Sequence, residues 1–66
     1  MNGRHLIALQ YVKNTNGGAT KDNFVEDHEP VGEWLWHELV SQGWVATTDD
    51  RIHLTPPGEQ ALKDAR

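Results

Sequence analysis

Residues 39–62 read LVSQGWVATTDDRIHLTPPGEQAL, and this stretch decides the fold. Glycine often takes the left-handed conformation that closes a helix, so Gly43 is expected to end the helix before it. The polar turn TTDD separates two short apolar runs, in which Val45, Ile52 and Leu54 alternate with polar neighbours. The pattern predicts an antiparallel hairpin over residues 44–55, with these three side chains facing inward and His53 facing outward.

The predicted hairpin leads directly into a last helix over residues 56–66. Thr55 can cap the free amides of its first turn, and proline at position 56 suits a first helical residue, where no N–H is needed. Three apolar residues of this helix are expected on one stripe, namely Ala61, Leu62 and Ala65. The compressed segment therefore predicts helix, hairpin and helix in direct succession.

The helix before Gly43 is predicted to run from Val31 to Gln42, with Pro30 in its first turn. Placing residues at about 100° intervals sorts them into two faces. The apolar face comprises Val31, Gly32, Leu35, Trp36, Leu39 and Val40; the opposite face comprises Glu33, Trp34, His37, Glu38 and Ser41. We therefore expect Leu39 at the centre of a three-helix core and Trp34 substantially exposed.

Two further helices are predicted upstream. The first covers residues 4–14, which contain several apolar residues and no glycine or proline. It is stopped by the TNGG stretch, where Gly17 or Gly18 can take the left-handed conformation. The second covers residues 21–27, and the Thr20 hydroxyl is placed to cap it.

From the third helix through the hairpin, the chain resembles the winged helix-turn-helix domains of the bacterial MarR and PadR regulators. The resemblance spans residues 31–63 and is carried by Leu35, Leu39, Gly43, Val45, Ile52, Leu54, Thr55, Gly58 and Leu62. Trp44 stands where the family usually has leucine. The first two helices agree with the family only in length and order.

The resemblance implies an α+β, mainly helical fold: three helices, a two-stranded wing and a C-terminal helix, in one domain over residues 1–66. It also implies a DNA-binding transcription regulator, whose third helix enters the major groove while the wing touches the DNA backbone or the minor groove. The residues then expected to bind DNA or a partner are Thr20, Lys21, Glu33, Trp34, His37, Ser41 and Arg51.

The distribution of charge favours a second interpretation. The net charge is −4, and residues 20–43 hold six carboxylates against one lysine. Residues 31–42 contain no lysine or arginine, although phosphate neutralisation supplies much of DNA affinity and arginine makes the commonest specific base contact. The alternative is a protein-interaction module with Trp34 facing a partner, since exposed tryptophan is enriched at binding hot spots. In the simplest structural alternative, Trp34 packs on the first helix or the C-terminal tail.

Catalytic and metal chemistry have little support in the sequence. The chain has no cysteine, and its four histidines show no metal-ligand spacing. His28 with Asp27 and Glu29, and with His37 as a further ligand, is a weak candidate for a divalent cation; exposed loop residues are the simpler interpretation. The NGG stretch follows a helix and lacks the lysine of a phosphate-binding loop. We expect a protein that is not an enzyme and has no metal or cofactor.

Length and hydropathy indicate the cellular location and the class of partner. No run approaches the ~20 apolar residues that span a bilayer, and the first residues lack the features of a signal peptide. The expected location is the cytoplasm, with no membrane partner. A chain of 66 residues has a small hydrophobic core, which a second subunit can supplement. A homodimer or a protein partner is therefore a possibility in addition to double-stranded DNA.

Overall fold

The computed structural model describes residues 3–65, and these residues form a mainly helical α+β fold. The elements in chain order are α1 (Gly3–Thr15), α2 (Lys21–Asp27), α3 (Gly32–Ser41), β1 (Val45–Thr48), β2 (Arg51–Leu54) and α4 (Pro56–Asp64). The predicted order of three helices, a hairpin and a final helix is confirmed. None of the helices within residues 3–65 is long and apolar enough to cross a membrane.

The ends of the first two helices follow the predicted signals. After α1 the backbone turns left-handed at Asn16 and Gly17, with φ of 48° and 80°. Thr20 caps α2: its hydroxyl accepts a hydrogen bond from the Asn23 amide at 3.2 Å, while the Asn23 side chain accepts one from the Thr20 amide at 3.0 Å. This reciprocal capping fixes the start of α2.

The start of α3 differs from the prediction, because Pro30 lies before the helix rather than in its first turn. The Val31 amide donates to the His28 carbonyl at 3.1 Å, which closes a turn over residues 28–31, and the Glu29–Pro30 peptide is cis. The helix therefore begins at Gly32, with Val31 as its N-cap residue.

The end of α3 agrees with the prediction for Gly43. Gly43 is left-handed, with φ of 75°. Its amide donates to the Val40 carbonyl at 2.9 Å, and the Trp44 amide donates to the Leu39 carbonyl at 3.1 Å. This pair of bonds is the Schellman arrangement, which satisfies the last carbonyls of a helix and turns the chain into the strand.

The hairpin has the predicted orientation. Val45 pairs with Leu54 and Ala46 pairs with His53 across the two antiparallel strands. Val45, Ile52 and Leu54 therefore share the inner face; Ile52 and Val45 are buried, and Leu54 is half-buried. His53 is on the opposite face but is also half-buried, and its Nε2 lies 2.9 Å from the Thr48 hydroxyl oxygen.

The segment before α2 pairs with the second strand of the hairpin. The Ile52 amide donates to the Ala19 carbonyl at 2.9 Å, and Thr20 forms an isolated antiparallel bridge with Arg51. The start of α2 is thereby tied to the edge of the hairpin.

The core lies where all four helices and the hairpin meet. Its buried side chains include Leu9, Phe24, Leu35, Leu39, Ile52 and Leu62. Leu39 is fully buried, as predicted. Two other predictions are wrong: Val40 is 46% exposed, and Ala65 is exposed although it was placed on the apolar stripe of the last helix.

Both corrections have a geometric reason. Helix α2 is short and approaches α3 at Gly32, where an added Cβ would lie 2.7 Å from the Val25 Cα. Val40 lies two turns further along α3, at the edge of its apolar arc rather than at its centre. Ala65 comes after the last residue of α4, so it does not continue the stripe on which Ala61 and Leu62 lie.

Candidate recognition surface

Five of the predicted binding residues are brought together on one side of the molecule. Lys21 Nζ lies 3.6 Å from Glu33 Oε2, and His37 Nε2 lies 3.7 Å from the same oxygen. The backbone bridge between Thr20 and Arg51 joins the start of α2 to β2. We call Thr20, Lys21, Glu33, His37 and Arg51 the recognition surface. It draws on α2, α3 and the hairpin, which are separate in the sequence.

Local structure fixes the backbone of this surface. The hydroxyl of Thr20 caps α2, so Thr20 positions the helix start on which Lys21 stands. Arg51 Nη1 donates to the Gly18 carbonyl at 3.2 Å, which holds the guanidinium beside the same helix start. On α3, Glu33 and His37 stand one turn apart, and both side chains are largely exposed.

The electrostatics of the recognition surface are mixed rather than basic. Glu33 lies close to the Lys21 ammonium, and His37 carries a charge only when it is protonated. An open depression of about 440 Å³ between α2 and the hairpin is lined by Thr20, Lys21, Asp22, Thr47 and Asp50. Two carboxylates therefore accompany one lysine around this depression.

Within residues 3–65, no side-chain hydrogen bond or ion pair joins the remaining two predicted residues, Ser41 and Trp34, to the recognition surface. The Ser41 hydroxyl donates to the Glu38 carbonyl within α3, at 3.2 Å. Trp34 is 48% exposed, which confirms the prediction for this residue. Its ring also stacks on His5 of α1, with ring centroids 6.2 Å apart, so part of the alternative packing is present as well.

Sequence reasoning missed two exposed apolar side chains. Ile7 of α1 is 65% exposed and Val40 of α3 is 46% exposed. The exposure of Ile7 could have been predicted from the sequence, because the first helix contains more apolar residues than a single buried face accommodates. Val40 lies at the edge of the apolar arc of α3, where helical phase alone does not decide burial.

The residues of the weak metal hypothesis make other contacts, and His28 is half-buried against Phe24. His28 Nδ1 lies 2.7 Å from the Phe24 carbonyl oxygen, and its ring stacks on Phe24 with centroids 4.2 Å apart. Asp27 accepts a hydrogen bond from the Tyr11 hydroxyl at 2.6 Å. Within residues 3–65, no group of three or more histidine, aspartate and glutamate side chains could hold a metal ion.

The contact between Tyr11 and Asp27 connects α1 to α2. Burial of the ring, together with the hydrogen bond and the negative charge of Asp27, raises the pKa of Tyr11 to about 12. The protonated phenol is therefore the form that the fold stabilises.

Compared with protein-family models, with curated proteins and with solved structures, the chain matches none of them. The resemblance to MarR and PadR regulators therefore stays a prediction.

Proposed function

We propose that this chain is a small winged helix-turn-helix protein that binds double-stranded DNA, with α3 as the recognition helix and the hairpin as the wing. The observation that carries the proposal is the recognition surface itself. Residues from the start of α2, from the exposed side of α3 and from β2 lie side by side there. Helix-turn-helix proteins use this combination of elements to contact one DNA groove and its flanking phosphates.

Four of the five residues of the surface have a chemical role in the proposed complex. Lys21 and Arg51 supply the cations that contact phosphates. Glu33 can accept a hydrogen bond from the amino group of cytosine, and His37 can donate one to an acceptor on a base edge. Because α3 has no arginine or lysine, we expect modest sequence discrimination.

The charges of the surface set the expected affinity. The logarithm of the binding constant falls with the logarithm of salt concentration by about 0.9 for each phosphate that the protein neutralises. With Lys21 and Arg51 as the cations, the expected slope is about −2 for each chain. Binding should be clear at about 20 mM salt and weak at physiological salt.

The test is a salt titration of binding to mixed-sequence duplex DNA. Lys21→Ala and Arg51→Ala should each weaken binding and reduce the slope by about one unit. Lys63→Ala is the matched control, because Lys63 lines a different groove, between α1 and α4. An equal effect of all three substitutions would indicate a non-specific charge effect, and an unchanged slope for Lys21 and Arg51 would refute the assigned surface.

A pair of carboxylate substitutions separates the effect of the recognition surface on DNA binding from the effect of the total charge. Glu33→Gln removes the carboxylate beside Lys21, whereas Glu38→Gln removes one that lies 3.6 Å from His5 on the α1 side. Both change the net charge equally. We expect Glu33→Gln to strengthen DNA binding more than Glu38→Gln does, because it releases Lys21 for phosphate.

A second function, a protein-interaction module, is favoured by the exposed side chains of α3. Trp34 and Val40 are 48% and 46% exposed. Contacts with DNA phosphates would use neither side chain, so DNA binding through phosphates does not account for their exposure. Exposed tryptophan is typical of the centre of a protein interface. If this module is the function, wild-type protein will not bind duplex at low salt. Trp34→Ala will then abolish association with a partner, while Lys21→Ala and Arg51→Ala will have little effect.

A further inference from the structure

A groove on the opposite side of α3 from the recognition surface lies between α1 and the α2–α3 connection. It has a volume of about 260 Å³, and its apolar wall includes Ile7, Pro30 and Val31. Ile7 is 65% exposed, the highest value among the large apolar side chains of residues 3–65. A single exposed aliphatic side chain is ordinary, but Ile7 adjoins the apolar wall of the groove and so extends a contiguous apolar patch, which is the kind of surface that a partner covers.

The groove also carries two opposite charges on its two walls. Arg4 comes from α1 and Glu29 from the α2–α3 connection. Within residues 3–65, neither side chain forms an ion pair or a hydrogen bond. By contrast, Lys13 pairs with Glu59 at 2.9 Å and Lys21 with Glu33 at 3.6 Å. One cation and one carboxylate are thus available for a partner.

We propose that a second copy of this chain docks on the groove in a two-fold arrangement. In such a dimer each Ile7 enters the partner copy's groove, and each Arg4 faces the partner copy's Glu29. A two-fold axis places the same patch on both sides, so a surface with one cation, one anion and a protruding aliphatic side chain is complementary to itself. This proposal does not depend on DNA binding.

The size of the groove sets the expected strength of self-association. Seven of residues 3–65 line it, against about 20–30 on each side of a standard interface. The same standard interface buries about 800 Å² on each partner, which is a large share of the 4117 Å² accessible here. We therefore expect a reversible dimer with a dissociation constant of about 10–1000 µM, in the range of weak, transient contacts.

The test is sedimentation equilibrium of the whole chain and of two charge reversals, up to about 1 mM. Arg4→Glu and Glu29→Arg should each weaken self-association by about tenfold or more, because each places like charges opposite one another. An equimolar mixture of the two variants should associate again at wild-type strength, since both contacts in the mixed dimer then join opposite charges. The double variant should also associate.

An apolar pair of substitutions tests the role of Ile7. Ile7→Asp should abolish self-association, whereas Val40→Asp, an exposed apolar residue on the other side of α3, should leave it unchanged. Circular dichroism and thermal melting verify that each variant is folded.

Three outcomes would overturn the proposal. The first is a wild-type chain that stays monomeric throughout the concentration range. The second is self-association that does not respond to either charge reversal or to Ile7→Asp, because another face would then form the contact. The third is a mixture of the two reversals that associates no better than either alone, which excludes the two-fold pairing.

Discussion

Replacing Gly32 with alanine tests the close approach of α2 and α3 that positions the recognition surface. A Cβ at residue 32 would lie 2.7 Å from the Val25 Cα and 2.8 Å from the Val25 carbonyl carbon, with the carbonyl oxygen closer still. Ordinary van der Waals contact begins at about 3.4 Å, so the two helices would have to separate by about 1 Å or more. The obstacle is backbone, which cannot rotate away as a side chain could.

The expected cost is at the upper end of the range for overpacked cores, about 3 kcal/mol. In a domain of this size each kcal/mol lowers the melting temperature by about 4–8 °C, so the expected decrease is about 12–24 °C. Gly3→Ala is the matched control, because Gly3 is also the first residue of its helix and an added Cβ there meets nothing within 4 Å.

Thermal melting by circular dichroism and urea unfolding measure both substitutions. Gly3→Ala should melt within a few degrees of wild type, since a surface substitution typically changes stability by about 0.5 kcal/mol or less. If Gly32→Ala melts at or above the wild-type temperature, α2 and α3 do not approach as described. In that case the geometry of the recognition surface is wrong.

Three other perturbations test separate parts of the fold. Leu39→Ala should cost about 2–5 kcal/mol in urea unfolding, because the side chain is fully buried, and near-wild-type stability would contradict the assigned core. Asp50→Gly should raise stability by about 1 kcal/mol, since Asp50 is left-handed in the hairpin turn with φ of 66°, and an unchanged or lower melting temperature would contradict this turn. The pKa of Tyr11 is raised from 10.0 to about 12, so its contribution to stability should be complete below pH about 10 and lost as the pH rises through 12. Tyr11→Phe should remove this alkaline dependence, and titration of the phenol by ultraviolet absorbance should show the raised pKa in the wild type.

The parts of the fold with strong local signals were predictable from the sequence. Gly43 ends α3 because a left-handed residue is needed there, and Thr20 and Thr55 cap helices through their own hydroxyls. The inward set of the hairpin followed from alternation, because side chains on a strand change face at every residue. Such signals depend on neighbouring residues and need no knowledge of the rest of the fold.

The remaining features depend on contacts between distant segments. The exposure of Val40 depends on how the other elements pack around α3, and the residue pattern of α3 alone does not contain that information. The pairing of residues 19 and 20 with β2 is likewise non-local. This pairing brings Thr20 next to Arg51, so sequence reasoning could nominate these residues without establishing that they meet.

The central claim is that the recognition surface binds double-stranded DNA, and chemical-shift mapping on the ¹⁵N-labelled chain tests it most directly. Unlabelled mixed-sequence duplex is added at about 20 mM salt, where electrostatic binding is strongest. The account predicts amide shifts at Thr20, Lys21, Glu33, His37 and Arg51 that diminish as salt is raised. The indole signal of the buried Trp36 serves as an internal reference and should stay in place. No shift at any DNA concentration, or shifts confined to the groove around Ile7, would contradict the claim.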